Sequence, residues 1–547
     1  QRDIGVAEFF ARNRHLLGFD NKRKALLTTI KEAVDNSIDA CEEAGILPEI
    51  SVEIIDMEND RFRVIVEDNG PGIIKQQVPQ IFAKLLYGSK FHSLKQSRGQ
   101  QGIGISASVM YGQLTTGRPS KIISKTQKNK PAYWCDLKID TAKNKPEIVS
   151  DGEKEWNKDH GTKIQIDLEG HYQKGGQSVD EYLKQTAVVN PHITIIYTNP
   201  RAEQIVFPRV TNEMPKMAEE IKPHPYGVEF GVLQKMIETT QTKTLQHFLT
   251  TEFSKVSPKV AKEICEHARL LISQKPKKLH HEDVERILKA IPQVKIQAPS
   301  AECISPITSE LLEKGIKKEI NAEFYTSVTR QPSVYRGNPF QIEVALAYGG
   351  FQPKDKQANV MRFANRVPLL FQQGACGVTK AIQSINWKPY GLQQTRSSLP
   401  IGPITIVVHM SSVWVPFTSE SKEALAHYPE ILEEIKKALQ EAGRHLAKYT
   451  AKKGRVKSEL KKRSYIQKYM SHVTAGLKEI LTIDDAEEKM LLEKLEIILE
   501  QKRGEIDTME FDPSKNTEYD EDWASIGKDD ADDANEEDDD DSYEDKD

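Results

Sequence analysis

The pattern of apolar and polar positions predicts a long amphipathic helix near the start of the chain, over residues 26–41. Its apolar positions recur at helical spacing and define one buried stripe. They are Leu26, Ile30, Ala33, Val34, Ile38 and Cys41. Glu32, Asn36 and Asp39 stand four and three residues apart, so they share the opposite face. That face is a solvated polar surface or one wall of a site, and the helix alone favours the solvated surface.

A strand with an abrupt end follows this helix. Its alternating side chains are Phe62, Val64 and Val66 on one face and Arg63, Ile65 and Glu67 on the other. Asp68 ends the strand, and Gly70, Pro71 and Gly72 then favour a tight turn. The segment is a plain turn, or it is a site in which Asp68 accepts a hydrogen bond from the exocyclic amine of adenine.

A third segment has the glycine pattern of a phosphate-binding loop. Gly99, Gly102 and Gly104 lead into a helix-compatible run over residues 105–111, and backbone N–H groups at a helix N-terminus attract phosphate. The spacing matches neither the Walker A loop nor the dinucleotide fingerprint. A ligand-free surface loop is the alternative. Lys90 and Arg98 would supply cations for phosphates, and the hydroxyl of Thr162 follows a further tight turn.

These segments resemble the four motifs of the GHKL ATPase superfamily, which includes gyrase-type topoisomerases, mismatch-repair clamps, dimeric chaperones and sensor histidine kinases. Further stretches resemble the B subunits of DNA topoisomerase VI. They are residues 7–13, 85–91, 223–227, 362–368 and 387–390. The similarity extends from about residue 5 to about residue 470 and leaves roughly the last seventy residues outside it.

The resemblance implies an α+β multidomain fold with a disordered acidic tail. The expected parts are a GHKL (Bergerat) α/β sandwich over 1–222, a helix-two-turns-helix domain over 223–300, a ribosomal S5-like α/β transducer domain over 301–470, a helical extension over 471–510 and the tail over 511–547. A chain of 547 residues accommodates three or four domains.

The resemblance also assigns roles at the ATP site. Glu32 is expected to act as the general base, and Lys422 of the transducer is expected to contact the γ-phosphate and stabilise transition-state charge; by itself, Lys422 is more simply a surface lysine. Asn36 is expected to hold Mg²⁺. The implied nucleotide-binding residues are Asn36, Asp68, Gly72, Ser89, Lys90, Arg98, Gly99, Gln100, Gln101, Gly102, Ile103, Gly104, Ile105, Ser106, Thr162 and Lys422. Ser106 departs from the family, in which a lysine is expected.

Two regions suggest contacts with double-stranded DNA. In the middle region, Ser257 and Pro258 form a favourable helix start beside Lys255, Lys259 and Lys262. A helical spacer is an equally good interpretation. Trp387, Lys388 and Tyr390 are either a packed corner or, as the resemblance implies, a DNA-facing element of the transducer.

Charge and cysteine content bear on the environment and partners. The net charge of −5 conceals a tail, residues 528–547, with thirteen acidic and two basic residues; the remainder carries +6. The acidic tail either competes with DNA for a basic groove or only makes the protein more soluble.

Five scattered cysteines favour a reducing interior. No apolar run is long enough for a membrane span, and no signal-peptide pattern opens the chain. Since the chain begins at Gln1 rather than Met, we expect residues to be missing before it.

The resemblance implies an ATP-dependent type II topoisomerase subunit that dimerises through its ATPase domain when ATP binds. The Asp-x-Asp element of a Toprim metal site occurs only in the acidic tail, so cleavage is assigned to a separate A subunit in an A₂B₂ complex. The expected location is the cytoplasm or nucleoid, or the nucleus in a eukaryote. Alternatives are another GHKL ATPase, such as a mismatch-repair clamp or chaperone, and a nucleotide-gated DNA-binding scaffold.

Overall fold

The computed structural model describes residues 5–88, 93–99, 102–419 and 422–503. The chain divides into two units, Gln1–Leu446 and Ala447–Asp547. All five cysteines are buried free thiols of the first unit.

The N-terminal part of the first unit is an eight-stranded sheet covered by helices. The helices are α1 (Val6–Arg12), α2 (Lys22–Glu43), α3 (Val78–Ala83), α4 (Gly104–Thr116) and α5 (Val179–Val189). The strands are β1 (Glu49–Asp56), β2 (Arg61–Glu67), β3 (Ser120–Lys125), β4 (Ala132–Asp140), β5 (Lys145–Lys154), β6 (Gly161–Glu169), β7 (Thr194–Thr198) and β8 (Gln204–Phe207). Their order is β5-β4-β3-β6-β2-β1-β7-β8, and only the β1–β7 pair is parallel.

The predicted helix and strand form the centre of this layer. The apolar stripe of α2 is buried, with Ile30, Val34 and Ile38 fully enclosed. It shares one core with alternate residues of the sheet, such as Val64 and Ile166. Because alternate residues of a strand point to the same face, each strand supplies every second side chain to this core. The polar face of α2 is consequently turned away from the sheet.

Four helices with their own core follow. They are α6 (Phe230–Thr239), α7 (Leu245–Glu252), α8 (Pro258–Ala268) and α9 (His281–Ala290). Phe248, Ile264 and Ile287 are among the buried side chains they share. The predicted helix start is confirmed, because the Ser257 side chain accepts a hydrogen bond from the backbone N–H of Val260 at 3.3 Å.

The third part is a second α/β layer. Its helices are α10 (Ser309–Glu319) and α11 (Gly377–Gln383), and its strands are β9 (Phe324–Thr329), β10 (Ser333–Tyr335), β11 (Asn338–Tyr348), β12 (Asn359–Ala364), β13 (Val367–Pro368) and β14 (Ile404–Ser412). Strands β11 and β14 pair in antiparallel register from Phe340 opposite Ser412 to Tyr348 opposite Ile404. Strand β12 runs parallel to β14 on its other side.

Two long helices complete the described chain, α12 (Pro429–Leu481) and α13 (Asp485–Arg503). Helix α13 lies within the helical extension that the resemblance implied over residues 471–510. Among the residues that the structure describes, no helix is both long and apolar enough to cross a membrane. The mixed α/β architecture is as predicted, whereas the predicted domain boundaries remain predictions.

Candidate nucleotide site

A cavity of about 600 Å³ lies where the polar face of α2, the glycine segment before α4 and a loop of the third part meet. Most of the predicted site residues line it. They are Glu32, Asn36, Asp68, Gly72, Gly99, Gly102, Ile103, Gly104, Ile105, Thr162 and Lys422. The three short motifs and the distant lysine therefore form one site.

The remaining predicted residues of the loop fall into two groups. Ser89, Lys90, Gln100 and Gln101 lie outside the described residues. Ser106 is buried inside α4, where its hydroxyl donates to the carbonyl of Ile103 at 2.9 Å. This bond closes the first turn of the helix, so the serine side chain is occupied within its own helix.

Asp68 is held rigidly at the end of β2. One carboxylate oxygen accepts hydrogen bonds from the N–H groups of Gly70 (2.9 Å) and Thr162 (3.0 Å), and the other accepts from the hydroxyl of Ser37 (2.9 Å). Burial raises the pKa of Asp68, although these three donors oppose the shift. Gly161 is needed beside it, since a Cβ at that residue would overlap the carbonyl of Asp68. The result is a fixed acceptor in the cavity wall.

The glycine segment touches the polar face of α2 directly. A Cβ added to Gly104 would lie 1.7 Å from Oε2 of Glu32, and one added to Gly99 would lie 3.9 Å from Oδ1 of Asn36. Glycine thus allows the loop and the N-terminus of α4 to approach both side chains. Glu32 is half-buried and Asn36 is exposed in the cavity, so both can meet a ligand.

Lys422 reaches this glycine segment from the third part of the fold. Its Nζ donates to the backbone carbonyl of Arg98 at 2.8 Å, although the two residues are 324 positions apart. The backbone of Lys422 is left-handed, with φ of 54°, a conformation that costs a non-glycine residue about 1 kcal/mol or more. Its own N–H donates to the carbonyl of Ser419 at 3.1 Å.

The prediction that the Arg98 guanidinium binds phosphate is corrected by its contacts. The side chain is buried and donates to Asp39 (2.8 Å), to both oxygens of Glu42 (2.7 and 2.8 Å) and to Asn190 (2.6 Å). Burial alone would raise the pKa of Glu42, but Arg98 and His192 outweigh burial and hold that pKa well below its usual range. Arg98 therefore anchors the glycine segment to α2, and its backbone carbonyl is the acceptor for Lys422.

The residues before Arg98 are tied to the third part rather than to the first sheet. Gln96 exchanges hydrogen bonds with the backbone of Ser305, donating at 3.2 Å and accepting at 2.7 Å. The amide of Asn365 donates to the carbonyl of Ser97 at 3.2 Å. Gln96 and Ser97 consequently contact the third part, whereas the next residue, Arg98, contacts α2 of the first layer.

Several polar side chains around Glu32 were not predicted. Asp35 is buried and accepts a hydrogen bond from Tyr182 at 2.9 Å, and burial raises the pKa of Asp35 to about 6. Burial also lowers the pKa of Lys31, against the opposing effect of Glu32 and Asp35. The spacing of Lys31 and Asp35, four residues apart on one helix, was a signal in the sequence. Nothing local indicated that Tyr182 would complete the cluster.

The DNA contact predicted for Trp387 is also corrected. Its side chain is completely buried, and its indole N–H donates to the carbonyl of Ile382 at 2.9 Å. Tyr390 packs edge-on against it, with ring centroids 5.7 Å apart. Trp387 is therefore a packing residue, whereas Lys388 is exposed on the surface. The aromatic residues of this motif suit the packed-corner alternative.

The fold and site together define an ATP-binding protein of the GHKL class, joined to a second α/β layer that supplies a lysine. Two family models match the chain. The model described as histidine kinase-, DNA gyrase B- and HSP90-like ATPase covers residues 21–169, and the topoisomerase VI B-subunit transducer model covers residues 299–462.

Curated relatives extend the match over most of the chain. The B subunit of type 2 DNA topoisomerase 6 from Methanosarcina acetivorans is 49% identical over 485 residues, or 88% of this chain and 78% of the relative. Its counterpart from Archaeoglobus fulgidus is 45% identical over 510 residues (92% and 84%), and that from Pyrococcus horikoshii is 39% identical over 536 residues (89% and 93%). The chain belongs to the family of type 2 DNA topoisomerase 6 B subunits. The predicted GHKL ATPase and transducer folds are confirmed.

Proposed function

We propose that the cavity binds ATP with Mg²⁺ and hydrolyses ATP to gate the passage of one DNA duplex through another. The observation that carries this proposal is the composite wall of the cavity, in which Lys422 of the transducer approaches the glycine segment of the ATPase layer. A site that is complete only when two layers meet couples nucleotide chemistry to their relative movement.

The residues divide the work of binding between them. Asp68 accepts a hydrogen bond from the exocyclic amine of adenine. The backbone N–H groups of residues 99–104, which precede α4 in the sequence and include its first residue, bind the phosphates. Ser89 and Lys90 are also proposed to bind phosphate, and this part of the proposal rests on the sequence alone. The exposed amide oxygen of Asn36 is a suitable ligand for Mg²⁺, which would neutralise phosphate charge when bound. The near contact of Asn36 with Gly99 fits an ion held next to the phosphates.

Hydrolysis is assigned to Glu32 and Lys422. Glu32 orients the attacking water and takes its proton, because its carboxylate faces the glycine segment at the phosphate end of the cavity. Lys422 stabilises the negative charge that develops on the transferred phosphoryl group. Arg98 acts by holding the glycine segment against α2.

The partners follow from what the chain contains. We propose ATP-dependent dimerisation through the ATPase layer, with the N-terminal segment that includes α1 exchanged onto a second copy. Cleavage requires a separate A subunit in an A₂B₂ complex. Double-stranded DNA is the substrate, and Lys388 remains a candidate contact because it is exposed. The cytoplasm, nucleoid or nucleus is the proposed location.

The test measures ATP turnover, ATP binding and DNA relaxation separately. Glu32→Ala and Lys422→Ala are each expected to lower kcat about 100-fold or more while nucleotide still binds. Glu58→Gln, in an exposed turn, is the matched control. Relaxation is expected to require both ATP and the A subunit.

Two outcomes would contradict the proposal. Full ATP turnover by Glu32→Ala would favour a nucleotide-gated scaffold whose hydrolysis does not depend on this carboxylate. Relaxation of supercoiled DNA by this chain alone would eliminate the assignment of cleavage to a separate polypeptide.

A further inference from the structure

Lys24 joins the ATPase layer to the loop that carries Lys422. It lies in the first turn of α2, lines the nucleotide cavity and forms an ion pair with Glu423, the neighbour of Lys422. Its Nζ is also 3.1 Å from Oδ1 of Asp20. The pair therefore connects two layers that are about 400 positions apart in sequence.

The surroundings of this pair are largely closed to solvent. The side chains of Lys24 and Glu423 are 14% and 5% exposed. The amide of Gln372 donates to the second oxygen of Glu423 at 2.6 Å, and Lys24 lies 5.4 Å from the centre of the Phe371 ring. Burial opposes the charge of Lys24, but Glu423 and Asp20 outweigh burial and raise its pKa. A buried charge pair with additional hydrogen bonds has a well-defined geometry, because separating this pair leaves the buried carboxylate of Glu423 without its cation.

The position of Lys422 depends on the position of Glu423, because the two residues are neighbours in the same loop. The N–H of Thr418 donates to the carbonyl of Ala424 at 2.9 Å, and the N–H of Ala426 donates to the carbonyl of Pro416 at 2.8 Å. These bonds join the described residues before and after Lys422, whose strained left-handed backbone persists only because its surroundings hold it. A displacement of Glu423 must therefore also displace Lys422.

We propose that the Lys24–Glu423 ion pair is a latch that positions Lys422 at the phosphate end of the cavity. The inference rests on the proposed catalytic role of Lys422. Glu423 is a positioning residue in this scheme, because it acts through its neighbour. The transducer loop engages the ATPase layer when the pair forms and withdraws Lys422 when the pair separates.

The first experiment is a charge reversal measured by steady-state ATP hydrolysis. Glu423→Gln and Lys24→Glu are each expected to lower kcat about tenfold or more. The double variant Lys24→Glu with Glu423→Lys exchanges the two charges, so the ion pair can form again. It is expected to recover most of the lost kcat. Lys22→Gln is the control on the same helix, since its pair with Asp60 is exposed. Thermal unfolding is measured for every variant.

A second experiment asks whether Glu423 acts through Lys422. Glu423→Gln is introduced into the unaltered chain and into Lys422→Ala, and kcat is compared across the four proteins. The latch predicts that Glu423→Gln has little further effect once Lys422 is absent. A residue with a merely structural role would lower kcat by the same factor in both backgrounds.

The outcomes separate this inference from the function on which it rests. If Lys422→Ala lowers kcat but Glu423→Gln does not, the latch is refuted and the role of Lys422 stands. The latch is also refuted if Glu423→Gln lowers kcat by the same factor with and without Lys422. It is likewise refuted if the double variant Lys24→Glu with Glu423→Lys has a kcat no higher than that of either Lys24→Glu or Glu423→Gln. If Lys422→Ala hydrolyses ATP at the normal rate, both proposals fail.

Discussion

Replacing Gly104 with alanine would test the position of the proposed general base, Glu32, without removing the groups that bind nucleotide. A Cβ at this residue lies 1.7 Å from Oε2 of Glu32, whereas ordinary van der Waals contact begins at 3.4 Å. The carboxylate must therefore retreat by about 1.7 Å, because the backbone of α4 fixes the position of the added Cβ, whereas the Glu32 side chain can change its rotamer.

The expected cost falls on the chemical step. A displacement of about 1 Å in a catalytic group can reduce the rate about 100-fold, and we expect a loss in kcat of at least that size. The backbone of Gly104 is not left-handed, so alanine adds no backbone strain there. Since the overlap is relieved by movement of the Glu32 side chain, the free energy of unfolding should change by no more than about 1 kcal/mol. The affinity for ATP should change little, since the phosphate-binding N–H groups remain.

The assay compares ATP hydrolysis, equilibrium binding of a fluorescent ATP analogue and thermal unfolding. Gly176→Ala is the matched control, because a Cβ there meets nothing within 4 Å and its backbone is not left-handed. Hydrolysis by Gly104→Ala within about threefold of the unaltered chain would refute the proposed position of the base. A parallel collapse in thermal stability would instead show that the overlap is relieved by unfolding.

Three further predictions follow from buried groups. Asp68→Asn should weaken ATP binding by about 1.5–3 kcal/mol, since a charged acceptor for adenine is lost; unchanged affinity in a binding titration would contradict this. Asp35 has a pKa of about 6 in the fold but near 4 when unfolded, so the folded chain binds the extra proton between these values and the free energy of unfolding falls as pH rises through them. Asp35→Asn should remove this slope and stabilise the protein by up to about 3 kcal/mol above pH 6, and identical slopes in chemical denaturation would contradict it. Arg98→Gln should lower the free energy of unfolding by about 3 kcal/mol or more, because Asp39 and Glu42 lose their buried cation. The depressed pKa of Glu42 contributes stability above its unfolded value that is lost as pH falls, so this variant should show a weaker acid dependence than the unaltered chain.

Local patterns were sufficient for the elements that carry the site. The stripe of α2 and the alternation of β2 predicted which faces would be buried, because helical and strand periodicities depend only on neighbouring residues. The turn after Asp68 and the glycine segment were likewise visible, since their chemistry lies in consecutive residues. The two corrected assignments, Arg98 and Trp387, concern side chains whose partners are distant in sequence or enclosed by packing.

Arg98 illustrates this difference. A cation beside a glycine loop has the composition of a phosphate ligand, but the orientation of its guanidinium depends on Glu42 and Asn190, which no local pattern connects to it. In the same way, the Trp387 motif has the composition of a DNA contact, and only the packing of the third part encloses the indole.

The sequence by itself determined the helices and strands, the glycine loop and the identity of the groups proposed to bind and hydrolyse ATP. The tertiary structure decided which of those groups face the cavity and which face each other. Lys422 approaches the glycine segment, and Glu423 pairs with Lys24, only because the third part packs onto the first. Electrostatic attraction and steric overlap act over a few ångströms, and distances in that range between remote residues are set by the packing of the whole fold.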